Sequence, residues 1–181
     1  DRALGHFRTN LTLVPRAWRA QIPVAQILTV LERHEEALSA WRRVVELQPG
    51  DPVHRLELAE AWRRAGRWSE MISELEQALS LAPDNPKTAA YLAWTLATAP
   101  LPEVRDGARA VTLAERAAGA GETADRLDTL GAALAEAGRH AEAARAVQRA
   151  LGLLPPDATD LRQEYETRLA LYRSGRAFHH R

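Results

Sequence analysis

Three prolines, Pro15, Pro49 and Pro83, stand 34 residues apart, and the same residue types recur between them. A fixed period of that length marks a chain made of copies of one small supersecondary unit. No such unit can bury its apolar side alone, so the copies must stack on one another.

Residues 52–85 show the unit most plainly. Pro52 opens a helix carrying Leu58, Ala59 and Trp62, as proline suits the first helical turn. Gly66 follows the periodic run and reads as its cap. Trp68 starts a second run, with Met71, Ile72, Leu75, Ala78, Leu79 and Leu81 at helical spacing. Pro83-Asp84-Asn85-Pro86 stops it. The spacing predicts two antiparallel helices, A and B, joined by a short turn.

This pattern resembles the tetratricopeptide repeat, which runs W-x2-L-G-x2-Y, then A-x3-F, then P over about 34 residues. In the copy at 124–157, Leu130-Gly131 and Leu134 match helix A, Gly138 the turn, and Ala143, Val147, Ala150 and Pro155 helix B. The copy at 18–51 supplies Val24-Ala25, Leu28, Ala37, Trp41 and Pro49, and the copy at 86–123 supplies Leu92-Ala93, Leu96, Ala110, Ala114 and Ala117. The resemblance covers nearly the whole chain. It implies an all-α fold, an α-α superhelix: a right-handed solenoid of antiparallel helix pairs with helices A lining a concave side. The small seats Ala25, Ala59, Ala93 and Gly131 would let helix B and the next helix A approach closely.

Four departures stand out. The Trp at the head of helix A is replaced by Gln21, Arg55, Ala89 and Leu127. Met71 takes a seat that is usually small, and overfilling a packed seat costs about 1–3 kcal/mol, although Met can bend aside. The first copy has Glu32 in place of the turn Gly, and its Pro23 predicts a helix beginning near that residue. Finally, four extra residues fall around 100–107 in the third copy, giving a long turn with an Arg105-Asp106-Gly107 element. The turn resembles those of bacterial members of the family, and reads as a tolerated surface insertion or, alternatively, a contact loop.

The ends are half units. Residues 1–17 read as a helix B alone, with Leu4, Phe7 and Leu11 on its apolar side. Residues 158–175 read as a capping helix with Leu161, Tyr165, Leu169 and Tyr172 on one face and Arg162, Glu164, Glu166 and Arg168 on the other. Residues 176–181 read as a loose tail. The apolar side of the N-terminal half unit is expected to be covered by an upstream segment; alternatively, Leu4, Phe7, Leu11, Leu161, Tyr165 and Leu169 are candidate self-association residues, through which two complementary half units would join head to tail into an oligomer or filament. Asp1 is not Met and opens no signal peptide, so the chain is expected to be processed or part of a longer one.

Composition narrows the function. The 24 basic and 24 acidic side chains are interspersed, unlike the clustered basic excess of a nucleic-acid binder. There is no cysteine, hence no disulfide or thiolate metal site, and no apolar run of membrane-spanning length. The compartment stays open. No phosphate loop, nucleophile elbow or paired zinc-binding histidines occur. His34 and His140 head helices B, where Trp68 stands in another copy, and read as packing residues. His179-His180 alone falls short of a metal site. Asp125 and Asp128 near a helix head read as dipole partners or caps. Asn10-Leu11-Thr12 matches a glycosylation sequon.

Matching copies gives the inward face: Ile22 and Gln26, then Leu56, Glu60 and Arg63, then Ala90 and Trp94, then Asp128. Family members that grip a carboxylate use a Lys and Asn clamp, which is absent here. The expected function is thus a non-catalytic protein-interaction scaffold without cofactor, binding a peptide or partner helix on that face, with Trp94 either its anchor or a residue packed against a neighbouring helix. The alternative is a self-assembling structural subunit.

Overall fold

The computed structural model describes residues 18–180. The half unit at 1–17, with Leu4, Phe7, Leu11 and the Asn10 sequon, lies outside the described residues. Within them are nine α-helices: α1 Trp18–Val30, α2 His34–Leu47, α3 Pro52–Arg64, α4 Trp68–Leu81, α5 Pro86–Thr98, α6 Gly107–Gly119, α7 Ala124–Glu136, α8 His140–Leu153 and α9 Thr159–Arg173. A short 3-10 turn, Pro102–Val104, precedes α6.

The helix starts follow from their capping residues. Asp51 accepts from the Val53 N–H at 2.8 Å with Pro52 at the first position, and Asn85 accepts from Lys87 N–H at 3.0 Å with Pro86 in the same place. Thr123 caps α7 through the Arg126 N–H at 3.3 Å. Each cap satisfies a backbone donor that has no partner inside the helix.

Three of the A-to-B turns, those after α1, α3 and α7, share one geometry. After α3, the Gly66 N–H bonds to the Arg63 carbonyl and the Arg67 N–H to the Trp62 carbonyl, with Gly66 at φ 71°. That is a Schellman closure, which needs a left-handed residue. After α1 the same bonds form around Glu32 at φ 56°. The turn keeps its form without glycine, at a conformational cost of about 1–2 kcal/mol.

The chain divides into two compact units, one ending at Pro83 and the other starting at Asp84. In the first, α1 packs on α2, α2 on α3, and α3 on α4. Its core holds Leu28, Trp41, Val44, Leu58, Met71 and Leu75 around the buried Ala25, Ala37 and Ala59. Met71 is fully buried, so the packing takes the larger side chain without expelling it. Arg55, in the seat where the family has Trp, is held by Glu74 at 2.8 Å and by the Pro49 carbonyl. An ion pair and a turn carbonyl thus replace aromatic packing there.

One expectation is corrected in this unit. Pro23 lies inside α1 instead of opening it. A proline loses one backbone hydrogen bond. Val24, Ala25 and Leu28 on the same helix are buried, and their packing maintains the helix through the break.

In the second unit α5 packs on α6 and α7, α6 on α7, α7 on α8, and α8 on α9. Gly131 of α7 sets the spacing. A Cβ there would sit 2.6 Å from Val147 Cγ2, 3.2 Å from the Ala143 carbonyl and 3.6 Å from the Tyr172 ring. Helix B and the following helix both lean on that one seat.

The insertion at 100–107 has a structural role beyond that of a tolerated loop. Arg105 donates to the Ala99 carbonyl at 2.9 Å, closing the end of α5, and pairs with Glu136 of α7 at 2.9 Å. Asp106 caps α6 through the Arg109 N–H at 3.0 Å. Gly107 abuts the end of α7, where a Cβ would lie 2.7 Å from the Ala137 nitrogen. The three consecutive residues therefore clasp α5, α6 and α7 together.

Candidate functional site

In the first unit the candidate residues lie on α1 and α3. Gln26 and Arg63 are exposed, while Ile22, Leu56 and Glu60 are half-buried. Val53, one turn before Leu56, is 59% exposed. Glu60 is held by both Arg63 nitrogens at 2.7 Å and by Arg64 at 3.0 Å. Val53 and Leu56 thus form an apolar stripe on α3, beside a Glu60 carboxylate shared by two arginines of the same helix.

The second unit carries a more elaborate site. Ala90 and Trp94 stand one turn apart on α5 and are half-buried. Asp128 of α7 is buried and takes the Arg168 Nε–H of α9 at 2.9 Å. The Arg168 guanidinium lies 5.0 Å from the Tyr165 ring centre, 5.4 Å from Trp94 and 5.5 Å from Phe178. A desolvated cation among three rings gains cation–π attraction, about 2 kcal/mol at a buried ring. Burial pushes the Asp128 carboxyl up to about 6, with Arg168 only partly offsetting it. Burial also raises the Tyr165 and Tyr172 hydroxyls, so both stay protonated, and the Tyr165 O–H donates to Asp125 at 2.9 Å.

Residues 176–180 lie across this site without regular secondary structure. Phe178 is tilted against Trp94 with centroids 6.0 Å apart. The Trp94 Nε1–H donates to His180 Nε2 at 3.1 Å. Indole only donates, so that imidazole nitrogen carries no proton. The His180 backbone N–H reaches the Thr98 carbonyl at 2.8 Å, one of the last carbonyls of α5, which the helix itself leaves unpaired. His179 Nε2 meets Glu136 Oε2 at 2.6 Å, on the carboxylate whose other oxygen holds Arg105.

Four expectations change here. The segment 176–181 is not a loose tail: through residue 180 it is anchored by rings, a backbone hydrogen bond and a carboxylate. Asp125 and Asp128 do not cap α7, a role taken by Thr123; they reach instead to Tyr165 and Arg168. Arg168 is not on the solvated face of the last helix but buried beside Tyr165, Leu169 and Tyr172. Finally, Tyr165 and Leu169 are buried in their own chain and Leu161 is half-buried, so this face of α9 is already occupied.

Sequence reasoning missed Arg168, Phe178, His179, His180 and the Arg105–Glu136 pair. A signal existed for Arg168: positions 165, 168, 169 and 172 form one helical stripe. None existed for the segment after Gly175, whose partners lie far back along the chain.

His34 and His140 occupy the first residues of α2 and α8 and are half-buried. Among the described residues no cluster of three metal-ligating side chains occurs, and no helix is long and apolar enough to cross a membrane.

No family model and no curated protein matches the sequence. Solved structures do match in fold. A MamA structure is 14% identical, with TM-score 0.70 over 91% of this chain and 89% of that one. TTC0263, a thermophilic TPR protein of Thermus thermophilus, is 22% identical, with TM-score 0.67 over 93% and 90%. YrrB, described as a TPR protein with an unusual peptide-binding site, is 16% identical, with TM-score 0.73 over 90% and 82%. The chain has the all-α, superhelical fold of the tetratricopeptide repeats.

Proposed function

We propose that this chain is a non-catalytic protein-interaction module that holds an extended peptide on the helix-A face of its second unit. The observation that supports it is the non-helical stretch 176–180, held there by ring contacts to Trp94 and a backbone hydrogen bond to Thr98. A surface that grips five residues of irregular chain has the donors, acceptors and apolar area a foreign peptide needs. Trp94 anchors the bound segment, with Ala90 leaving room beside it, and Asp128 acts through Arg168 rather than on the ligand itself. On the first unit, Ile22 and Gln26 of α1 and Leu56, Glu60 and Arg63 of α3 are separate candidate contacts for the same partner class.

The test is a panel of labelled extended peptides titrated by fluorescence anisotropy. Trp94→Ala should weaken the tightest binder by about 2 kcal/mol with helicity unchanged by circular dichroism. Undiminished affinity would exclude Trp94 as the anchor.

The self-assembling alternative loses support at one end, since Tyr165 and Leu169 are committed to their own chain.

A further inference from the structure

The occupied state of the second unit carries its own consequence, which rests on the peptide-binding reading above. Everything a peptide would use is already in use. The Trp94 ring and its N–H are taken by Phe178 and His180, the Thr98 carbonyl by the His180 backbone, and the outer oxygen of Glu136 by His179.

We infer that residues 176–180 are a resident competitor: they keep this site closed, and a partner opens it by presenting an extended segment of the same chemistry. That chemistry is specific. Position one is an aromatic ring, to lie against Trp94 and under the Arg168 guanidinium, 5.5 Å from the Phe178 ring. The next position is a proton donor for the Glu136 carboxylate. The third offers a backbone N–H for Thr98 and a ring nitrogen or other acceptor for the indole N–H. An aromatic–imidazole–imidazole sequence meets all three; a purely aliphatic segment offers only the backbone N–H, and a purely acidic one adds an acceptor for the indole but neither the ring nor the proton donor.

Two features make the segment displaceable rather than part of the core. The helix before it ends in a Schellman turn at Gly175, φ 72°, so helix α9 closes its own hydrogen bonds without help from residues beyond 176. Phe178 and His179 are also only half-buried and His180 is exposed, whereas Asp128 and Arg168 beneath them are buried. Exchange of the segment leaves that ion pair in place.

The experiment uses the full chain. Phe178→Ala and His180→Ala together remove the ring and the acceptor while leaving all nine helices. The probe is a fluorescein-labelled peptide with the sequence of residues 176–181. A site available for only about a tenth of the time binds about tenfold more weakly than its intrinsic affinity. The opened chain should therefore bind the probe about tenfold tighter than the wild type, and adding Trp94→Ala should abolish that gain.

Equal binding by opened and wild-type chains overturns the competitor. If an unrelated panel peptide then binds both chains equally and depends on Trp94, the interaction-module reading stands without it. If the opened chain, with native helicity, binds no peptide at all, the peptide-binding reading of this unit falls as well. A wild-type chain that dimerises with concentration by light scattering, and becomes monomeric on Phe178→Ala, shows the segment seated in a second copy and also overturns the intramolecular competitor.

Discussion

Single residues set how closely these helices approach. Gly131 is the tightest case, because any Cβ must displace Val147 or the Ala143 carbonyl. Val in a helix has one favoured rotamer and cannot swing away, and the carbonyl is backbone. Gly131→Ala gains about 1 kcal/mol in helix propensity but overfills the seat at about 1–3 kcal/mol. The expected result is a net loss of about 1 kcal/mol by urea denaturation, largely removed when Val147→Ala is combined with it. Additive losses in the double variant would show that the seat is not the cause. Glu32 is the converse. It holds a left-handed conformation that costs a side chain about 1–2 kcal/mol. Glu32→Gly should stabilise the first unit by about 0.5–1 kcal/mol after glycine's own entropy is counted. An unchanged urea midpoint would mean that Glu32 makes compensating contacts. Both residues were visible in the sequence, because the repeat marks the small seat and the turn position by period alone.

Between elements, legibility depends on sequence distance. Helices and caps arise from neighbours within a turn, so Pro52, Asn85-Pro86, Gly66 and Gly138 could be read directly. The Asp128–Arg168 pair, 40 residues apart, and the Trp94–His180 contact, 86 apart, could not. No local period encodes them. Arg168 reads as a solvent-facing charge by residue type, although its position lies on the apolar stripe of α9. Burying such a pair is often not a net gain, because desolvation can exceed the attraction. Asp128 reflects this: burial lifts its carboxyl from 3.8 to about 6 against the pull of Arg168, with Asp125 and Glu164 adding like-charge repulsion. The folded chain therefore binds that proton more tightly than the unfolded chain. The stability it contributes is fully present below about pH 4 and is lost as pH rises through about 6. Asp128→Asn does not titrate, so the wild type should lose melting temperature relative to that variant between pH 4 and 7. A difference independent of pH would mean that the carboxyl is already ionised at the acid end, with Arg168 dominating burial.

Across the whole molecule, 24 basic and 24 acidic side chains balance, so no net charge draws a polyanion. Many of those charges are also paired locally, as in Glu60 with Arg63 and Arg64, Arg55 with Glu74, Arg105 with Glu136, and Arg139 with Glu142. The recognition proposed for the second unit would then rest on rings, a backbone hydrogen bond and short-range polar contacts, none of which needs counterions to be released. A protein that neutralises several phosphates loses about a thousandfold or more in affinity between about 50 and about 200 mM salt. Peptide binding at Trp94 should change by less than about threefold over the same range, because exposed charge is the part that salt screens. Anisotropy titrations at the two salt concentrations measure this directly. A steep salt dependence would place the dominant contacts on exposed arginines instead of the aromatic site, and would return a polyanionic partner to consideration.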